Sequence, residues 1–206
     1  MHIINDDGFT IYSFIVDKSD SNYNYIVSCD ETNECIVIDP IDVVSILKII
    51  RENELTVKYV INTHAHPDHI QGNNPIIKVF LSSKILIHET GLDYVAPRSE
   101  GVAEGDTITF GKQSVNVLHT PGHCPEHISL LLGKNIFVGD TIFVSGCGNT
   151  RYRGVVEDLY DTFANKLKKL DDSLVIHSGH NYADTNLKFA LSVDPDNKKI
   201  DKKLKE

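Results

Sequence analysis

The sequence predicts a layered protein of mixed α and β structure. Short apolar segments with the spacing of strands recur in both halves of the chain. Each half also carries an amphipathic stretch with helical spacing, and no low-complexity linker separates the two halves. Runs of strands followed by a helix, twice along one chain, predict two sheets flanked by helices.

The first half opens with three predicted strands, Phe9–Val16, Tyr23–Ser28 and Glu34–Asp39. A helix is predicted over Asp42–Arg51, because Val43, Ile46 and Ile50 recur on one face and Asp42 is suited to cap its start. A further strand, Lys58–Asn62, leads directly into a cluster of histidines.

The second half repeats this pattern. Its predicted strands are Asp106–Phe110, Ser114–Leu118, His127–Leu132 and Asn135–Val138. An amphipathic helix is predicted over Glu157–Leu170, where Leu159 and Phe163 share a face and the acidic start suits the helix dipole. A last strand, Leu174–His177, precedes a final helix that begins within Asn186–Ser192.

Length and composition limit the classes of function. A chain of 206 residues predicts one domain, residues 1–206, with 186–206 as a helical tail. A net charge of −9 argues against a nucleic-acid partner. No secretory signal and no run of roughly 18 apolar residues is visible, so no membrane association is expected. Four cysteines without metal-type or disulfide spacing favour a reducing cytoplasm.

The segment Thr63–His69 holds four potential metal ligands, His64, His66, Asp68 and His69. In an extended chain, residues two apart point the same way, so His64 and His66 can hold one ion together. A turn at Pro67 would direct Asp68 and His69 towards a second ion. Imidazole and carboxylate suit zinc, iron or manganese far better than magnesium or calcium.

Three later loops, each following a predicted strand, offer one further ligand apiece: His123, Asp140 and His180. The Asp140 carboxylate can span two cations that lie about 3.5–4 Å apart. Three other histidines compete for such roles. His119 and His127 are candidates for supporting or structural roles, and His177 is expected to be packed or hydrogen-bonded within its strand.

The order of these residues resembles that of the metallo-β-lactamase superfamily. The resemblance implies a four-layer αββα sandwich. It also implies that His64, His66 and His123 hold one metal, that Asp68, His69 and His180 hold another, and that Asp140 bridges them. Two divalent ions are therefore expected, zinc first, with iron or manganese as alternatives.

Within that superfamily, the chain most resembles the glyoxalase II group, the hydroxyacylglutathione hydrolases. The similar stretches are 139–143, 145–148, 179–182 and 186–197. The resemblance implies hydrolysis of a small thioester, such as S-lactoylglutathione, by a hydroxide that bridges two metals. Asp68 and Asp140 are the expected catalytic residues, with Asp68 also orienting the nucleophile. Cys147 has no evident base partner and is expected to be structural.

Substrate contacts are expected from Tyr182, Tyr152 and Arg151, and Arg153 is an alternative source of positive charge for glutathione carboxylates. Arg151 and Arg153 are equally compatible with ordinary surface positions. The longer glyoxalase II enzymes continue into a helical region that supplies basic residues, so the resemblance is to a short form that lacks it. No feature of the sequence indicates the oligomeric state.

Other activities share this ligand pattern. A glutathione persulfide dioxygenase would use one iron held by His66, His123 and Asp140, but 149–154 lacks the Arg-Thr-Asp-Phe sequence typical of that group. A thioesterase that acts on something other than glutathione conjugates is a further alternative. A nuclease is disfavoured by the acidic chain and the lack of a basic, aromatic-bearing arm.

Overall fold

The larger of two sheets is built mainly from the first half of the chain. The structure is a computed structural model that describes residues 1–16, 20–95 and 98–205. Seven strands follow one another in chain order: His2–Asp6 (β1), Phe9–Ile15 (β2), Tyr23–Cys29 (β3), Glu34–Ile38 (β4), Thr56–Ile61 (β5), Lys84–His88 (β6) and Ser99–Val102 (β7). Pairing is antiparallel from β1 to β4 and parallel from β4 to β7.

The smaller sheet has five strands in the order β14-β11-β10-β9-β8. They are Thr107–Phe110 (β8), Gln113–His119 (β9), Ile128–Leu132 (β10), Asn135–Gly139 (β11) and Val175–Ser178 (β14). A short ribbon, Ile142–Phe143 (β12) with Gly146–Cys147 (β13), follows β11. Because β14 is parallel to β11, the loops that follow these two strands emerge at the same edge of the sheet.

Six α-helices complete the described fold: Val43–Glu52 (α1), Pro67–Ile70 (α2), Asn73–Val79 (α3), Val156–Asp161 (α4), Ala183–Val193 (α5) and Lys198–Leu204 (α6). The predicted cap of α1 is confirmed, since Asp42 Oδ1 accepts from Ser45 N at 3.1 Å. The helix predicted over Glu157–Leu170 changes its winding, from α4 to a π turn at Thr162–Lys166 and a 3-10 turn at Leu167–Lys169. At the start of the π turn, Thr162 Oγ1 donates to Pro121 O at 2.7 Å.

Two apolar layers hold the fold together. Between the sheets, Ile11, Val27 and Ile36 of the larger sheet belong to the same buried cluster as Phe110 and Phe137 of the smaller one. A second buried cluster joins the other face of the larger sheet to α1 and α3. The expected αββα arrangement, with its two sheets flanked by helices, is confirmed.

Several elements were not predicted, four of them for identifiable reasons. The β1 and β7 segments are largely exposed strands at the two edges of the larger sheet, so they lack the alternation of buried apolar residues that predicts a strand. The β6 strand is short and apolar, and α3 is only seven residues long, so periodicity cannot assign either one. None of the helices in the described residues is long and apolar enough to cross a membrane.

Candidate metal centre

The loop that follows β5 carries the dense histidine cluster and is fixed at its base. Asp39, at the end of β4, accepts from Thr63 N at 2.8 Å and from Thr63 Oγ1 at 2.6 Å. The predicted turn at Pro67 takes the form of the short helix α2, which His66 precedes in an extended conformation. Proline suits this first helical position, where its missing N–H is not needed. After this change from extended chain to helix, Asp68 and His69 belong to a different group of potential metal ligands from His64 and His66.

His64, His66 and His123 form the first ligand group. Their ligand-type atoms all lie within 4.8 Å of one another. His66 Nδ1 faces His64 Nε2 at 3.1 Å and His123 Nε2 at 3.0 Å. A proton on one of these nitrogens can be shared with only one neighbour at a time. Hydrogen bonding between the three rings therefore cannot satisfy all three nitrogens.

Asp68, His69 and His180 form the second ligand group, also within 4.8 Å of one another. His180 Nε2 lies 3.3 Å from His69 Nε2 and 3.4 Å from Asp68 Oδ2. Asn22 Nδ2 donates to Asp68 Oδ2 at 3.0 Å, which fixes that carboxylate.

The Asp140 carboxylate lies between the two groups. Its Oδ2 is 3.6 Å from His123 Nε2 and 3.3 Å from His180 Nε2, and its Oδ1 is 3.5 Å from His69 Nε2. Burial alone disfavours the charged carboxylate, but His69 and His180 outweigh it and hold the pKa of Asp140 at about 2. The centre therefore presents a fixed negative charge where the two groups meet.

Backbone and carboxylate acceptors orient three of the imidazoles. The Nδ1 atom of His123 donates to Asn149 O at 2.7 Å, and that of His180 donates to Asp20 O at 2.7 Å. The Nδ1 atom of His69 lies 3.0 Å from Asp39 Oδ2. Because Nδ1 of each ring is engaged in this way, Nε2 of each ring faces the centre. Metal-binding histidines commonly have such a hydrogen-bond partner on the nitrogen that does not bind the metal.

The donor set fits a pair of metal ions. Ligands about 2.0–2.1 Å from a tetrahedral zinc ion stand about 3.3 Å from one another, close to the 3.0–3.4 Å contacts within each group. Within the described part of the chain, buried Asp140 Oδ1 and His66 Nε2 make no hydrogen bond. A buried carboxylate oxygen that faces imidazoles without a hydrogen bond is expected where a cation is bound.

Comparison with known proteins agrees with this geometry. The sequence model of the metallo-beta-lactamase superfamily matches residues 17–180. This span includes the six side chains of the two ligand groups and also Asp140. The chain belongs to the metallo-β-lactamase superfamily. Members of this superfamily in the glyoxalase II group are its relatives by sequence.

Two of these relatives carry the name hydroxyacylglutathione hydrolase. One, from Polaromonas sp., is 38% identical over 85% of this chain and 68% of its own length. The other, from Arabidopsis thaliana, has the name hydroxyacylglutathione hydrolase cytoplasmic and is 36% identical over 89% of this chain and 72% of its own length. Among solved structures, ETHE1 from Myxococcus xanthus superposes with a TM-score of 0.77 at 30% identity, over 84% of this chain and 76% of that one.

A cavity of about 480 Å³ opens beside the centre and is walled by both ligand and non-ligand residues. His66 and Asp68 line it together with Tyr94, Tyr152 and Arg153. The Tyr152 ring centroid lies 6.0 Å from that of His66.

The other expected substrate contacts lie elsewhere. Tyr182 stacks on His180 with 4.8 Å between ring centroids, and it lines a separate cavity of about 310 Å³. Its hydroxyl donates to Asp20 Oδ2. Arg151 is exposed and does not line the 480 Å³ cavity.

The three competing histidines have other partners. His127 Nε2 accepts from Asp140 N at 3.1 Å, so His127 holds the backbone of the loop that carries Asp140. His119 stacks on His88 with 4.0 Å between ring centroids. His177 Nε2 donates to Asn135 Oδ1 at 2.9 Å, which confirms its expected packed and hydrogen-bonded role.

Sequence reasoning missed the supporting side chains Asn22, Asp39 and Glu126, and also Tyr94, which lines the cavity. Asp39 and Glu126 are buried acids, 3% and 1% exposed. Buried acids normally require partners, but those partners are distant in sequence, so no local pattern identifies them. Asp39 also lies within 4.8 Å of His64 and His69, but its oxygens are already engaged by Thr63 and the His69 Nδ1 atom.

Proposed function

We propose that this protein is a metal-dependent hydrolase that cleaves a glutathione thioester, such as S-lactoylglutathione, to a hydroxy acid and a free thiol. The observation that supports it best is the pair of ligand groups that meet at Asp140. The names of the relatives at 36–38% identity support the same reaction. Zinc is the proposed metal, with iron or manganese as alternatives, because the donors are imidazole and carboxylate.

His64, His66 and His123 would hold one ion, Asp68, His69 and His180 the other, and Asp140 would bridge them. When bound, two such ions act as Lewis acids and lower the pKa of a shared water towards neutrality. The side chains of the protein would position the metal ligands and the reacting groups. Asn22 holds the Asp68 carboxylate, which supports the proposed role of Asp68 in orienting the attacking water.

The leaving group in thioester hydrolysis is a thiolate, which departs without a strong general acid. No dedicated acid is therefore needed at the centre. The cavity beside His66 and Asp68 is the proposed thioester site, with Tyr152 as a wall against the substrate. Tyr182 and Arg151 remain proposed contacts for the outer parts of a glutathione conjugate. A reducing cytoplasm is the proposed compartment, and all four cysteines are free.

Metal content and thioester turnover, measured on the same purified sample, test this proposal. Elemental analysis should give two metal ions per chain, and a thiol reagent should detect thiol release from S-lactoylglutathione. A His180→Ala variant should keep one ion and lose turnover by at least about 100-fold, since a ligand of the second group is removed.

The persulfide dioxygenase alternative predicts a different pattern. Its single iron, on His66, His123 and Asp140, would survive His180→Ala, and oxygen would be consumed with glutathione persulfide. Two bound metals with an intact thioester would instead refute the glutathione substrate and leave the metal assignment standing.

A further inference from the structure

Glu126 is a buried carboxylate three residues after His123, and the hydrolysis described above does not use it. It is 1% exposed. Arg153 Nη1 donates to Glu126 Oε2 at 2.9 Å, and Arg153 Nη2 donates to Oε1 at 2.6 Å. Oε1 also accepts from Ala65 N at 3.2 Å. Ala65 lies between the ligands His64 and His66, so one carboxylate joins Arg153 to the backbone of the first ligand group.

Arg153 is held in an unusual position to make this contact. Its backbone has φ +66°, a left-handed conformation that non-glycine residues rarely adopt. The guanidinium Cζ lies 4.2 Å from the centroid of the Tyr94 ring. In the same turn Gly91 packs against Glu126, because an added Cβ at Gly91 would lie 3.0 Å from Glu126 Cγ. Both partners of the ion pair therefore contact the turn Glu89–Tyr94, Arg153 through Tyr94 and Glu126 through Gly91.

A planar guanidinium that binds both oxygens fixes the plane of a carboxylate, which a lysine could not do. Burial alone would raise the pKa of Glu126, but the Arg153 hydrogen bonds outweigh it and lower that pKa, so the carboxylate stays charged. A fixed, charged oxygen is a strong acceptor for the Ala65 amide. Partners of this kind set the orientation of metal ligands and typically change metal affinity by about 10–100-fold.

We propose that Arg153 is a positioning residue for the first ligand group, acting through Glu126 on the Ala65 amide, rather than a binding site for substrate carboxylates. This inference rests on the proposed metal ligands. Because its charge is balanced by a buried partner, Arg153 contributes a wall to the 480 Å³ cavity and little net attraction for an anionic substrate.

The test is a comparison of metal affinity at the two groups. Cobalt(II) affinity would be measured by competition with a chromophoric chelator in two single-site backgrounds. His180→Ala leaves the first group intact, and His66→Ala leaves the second. Adding Arg153→Met should weaken binding about 10-fold or more at the first group and leave the second group within about twofold. Arg51→Met, an exposed arginine on α1, is the matched control and should change neither.

Arg153→Lys should recover only part of the affinity at the first group, because a lysine cannot form the two-point contact. It also replaces Arg153→Met if the latter fails to fold. Equal losses at both groups would indicate general destabilisation, and no loss at either would leave Arg153 without a positioning role. Both results would overturn this inference. If the otherwise unmodified chain binds no metal at either group, the proposed function itself is wrong.

Discussion

Two buried histidines, His123 and His177, show how a candidate metal ligand differs from a structural residue. His177 is 8% exposed, donates to the Asn135 side chain and stacks on Phe137 with 4.7 Å between ring centroids. His123 is 3% exposed, yet its Nε2 faces His66 Nδ1 at 3.0 Å. Both rings are buried to a similar degree. The difference lies in the partner: a neutral amide satisfies His177, whereas His123 faces another nitrogen that only a shared proton or a cation can satisfy.

The largest expected effect comes from removing the charge that joins the two groups. Asp140→Asn takes away the only carboxylate in contact with both His123 and His180 among the described residues. We expect kcat/KM for thioester hydrolysis to fall by about 10³-fold, since about 4 kcal/mol of charge stabilisation is lost. Steady-state kinetics would measure it, with Asp172→Asn, an exposed acid, as the control. Activity within tenfold of the unaltered protein would show that Asp140 does not bridge.

Removing metal should lower the thermal stability of the protein, because bound ions would satisfy the facing nitrogens of the centre. A ligand present at about 100 times its dissociation constant adds about 2.7 kcal/mol to folding stability. For a chain of this size the corresponding fall in Tm is about 5–10 °C, which calorimetry with and without chelator would detect. The chelator effect should be smaller in Asp140→Asn. An unchanged Tm in the unaltered protein would mean that the facing nitrogens are satisfied without a cation.

The comparison of His123 with the other histidines also explains which parts of the site could be predicted from the sequence. The seven candidate ligands follow strands at short spacings. The chain order of His64, His66, Asp68 and His69 therefore already predicted a metal site, and the fold brings the later loops to it. The distinction between His123 and His119 was not available from the residues alone. It depends on where β9 ends and on the Asn149 carbonyl that accepts from His123, a contact between residues 26 positions apart.

The supporting shell is harder to predict than the ligands. Glu126 and Arg153 are 27 residues apart, and Thr63 and Asp39 are 24 apart, so only the folded chain pairs them. Tyr94 contributes to the cavity from a 3-10 turn that lacks a periodic apolar pattern. The edge strands β1 and β7 escaped prediction for a related reason, since little of their side-chain surface is buried.

Acid pH should reveal His177 as a structural residue. Burial lowers its pKa from 6.5 to about 4, and the charge of His2 adds to the shift. The folded protein thus keeps His177 neutral while the unfolded chain takes up a proton below pH 6.5. Stability is therefore lost as pH falls from about 6.5 to 4 and levels off below that range, with a loss of about 2 kcal/mol between pH 7 and pH 5.

Urea unfolding of metal-free protein at pH 7 and pH 5 would measure this loss. His177→Gln, which retains a donor for Asn135, should remove about 2 kcal/mol of the pH dependence. Comparing the variant with the unaltered protein cancels contributions from the other histidines. An identical pH dependence in both would show that His177 titrates normally in the fold.

The smallest effect is expected where the centre meets solvent. Tyr152 is 66% exposed and lies against the same cavity as His66. Tyr152→Ala should raise KM for S-lactoylglutathione about 2- to 10-fold with little change in kcat, because an aromatic contact of about 0.5–1.5 kcal/mol contributes to binding alone. Tyr160→Ala, at a tyrosine that is 72% exposed outside the lining of this cavity, is the control. A fall in kcat with constant KM would place Tyr152 at the reacting atoms, as part of the catalytic centre rather than as a wall of the pocket.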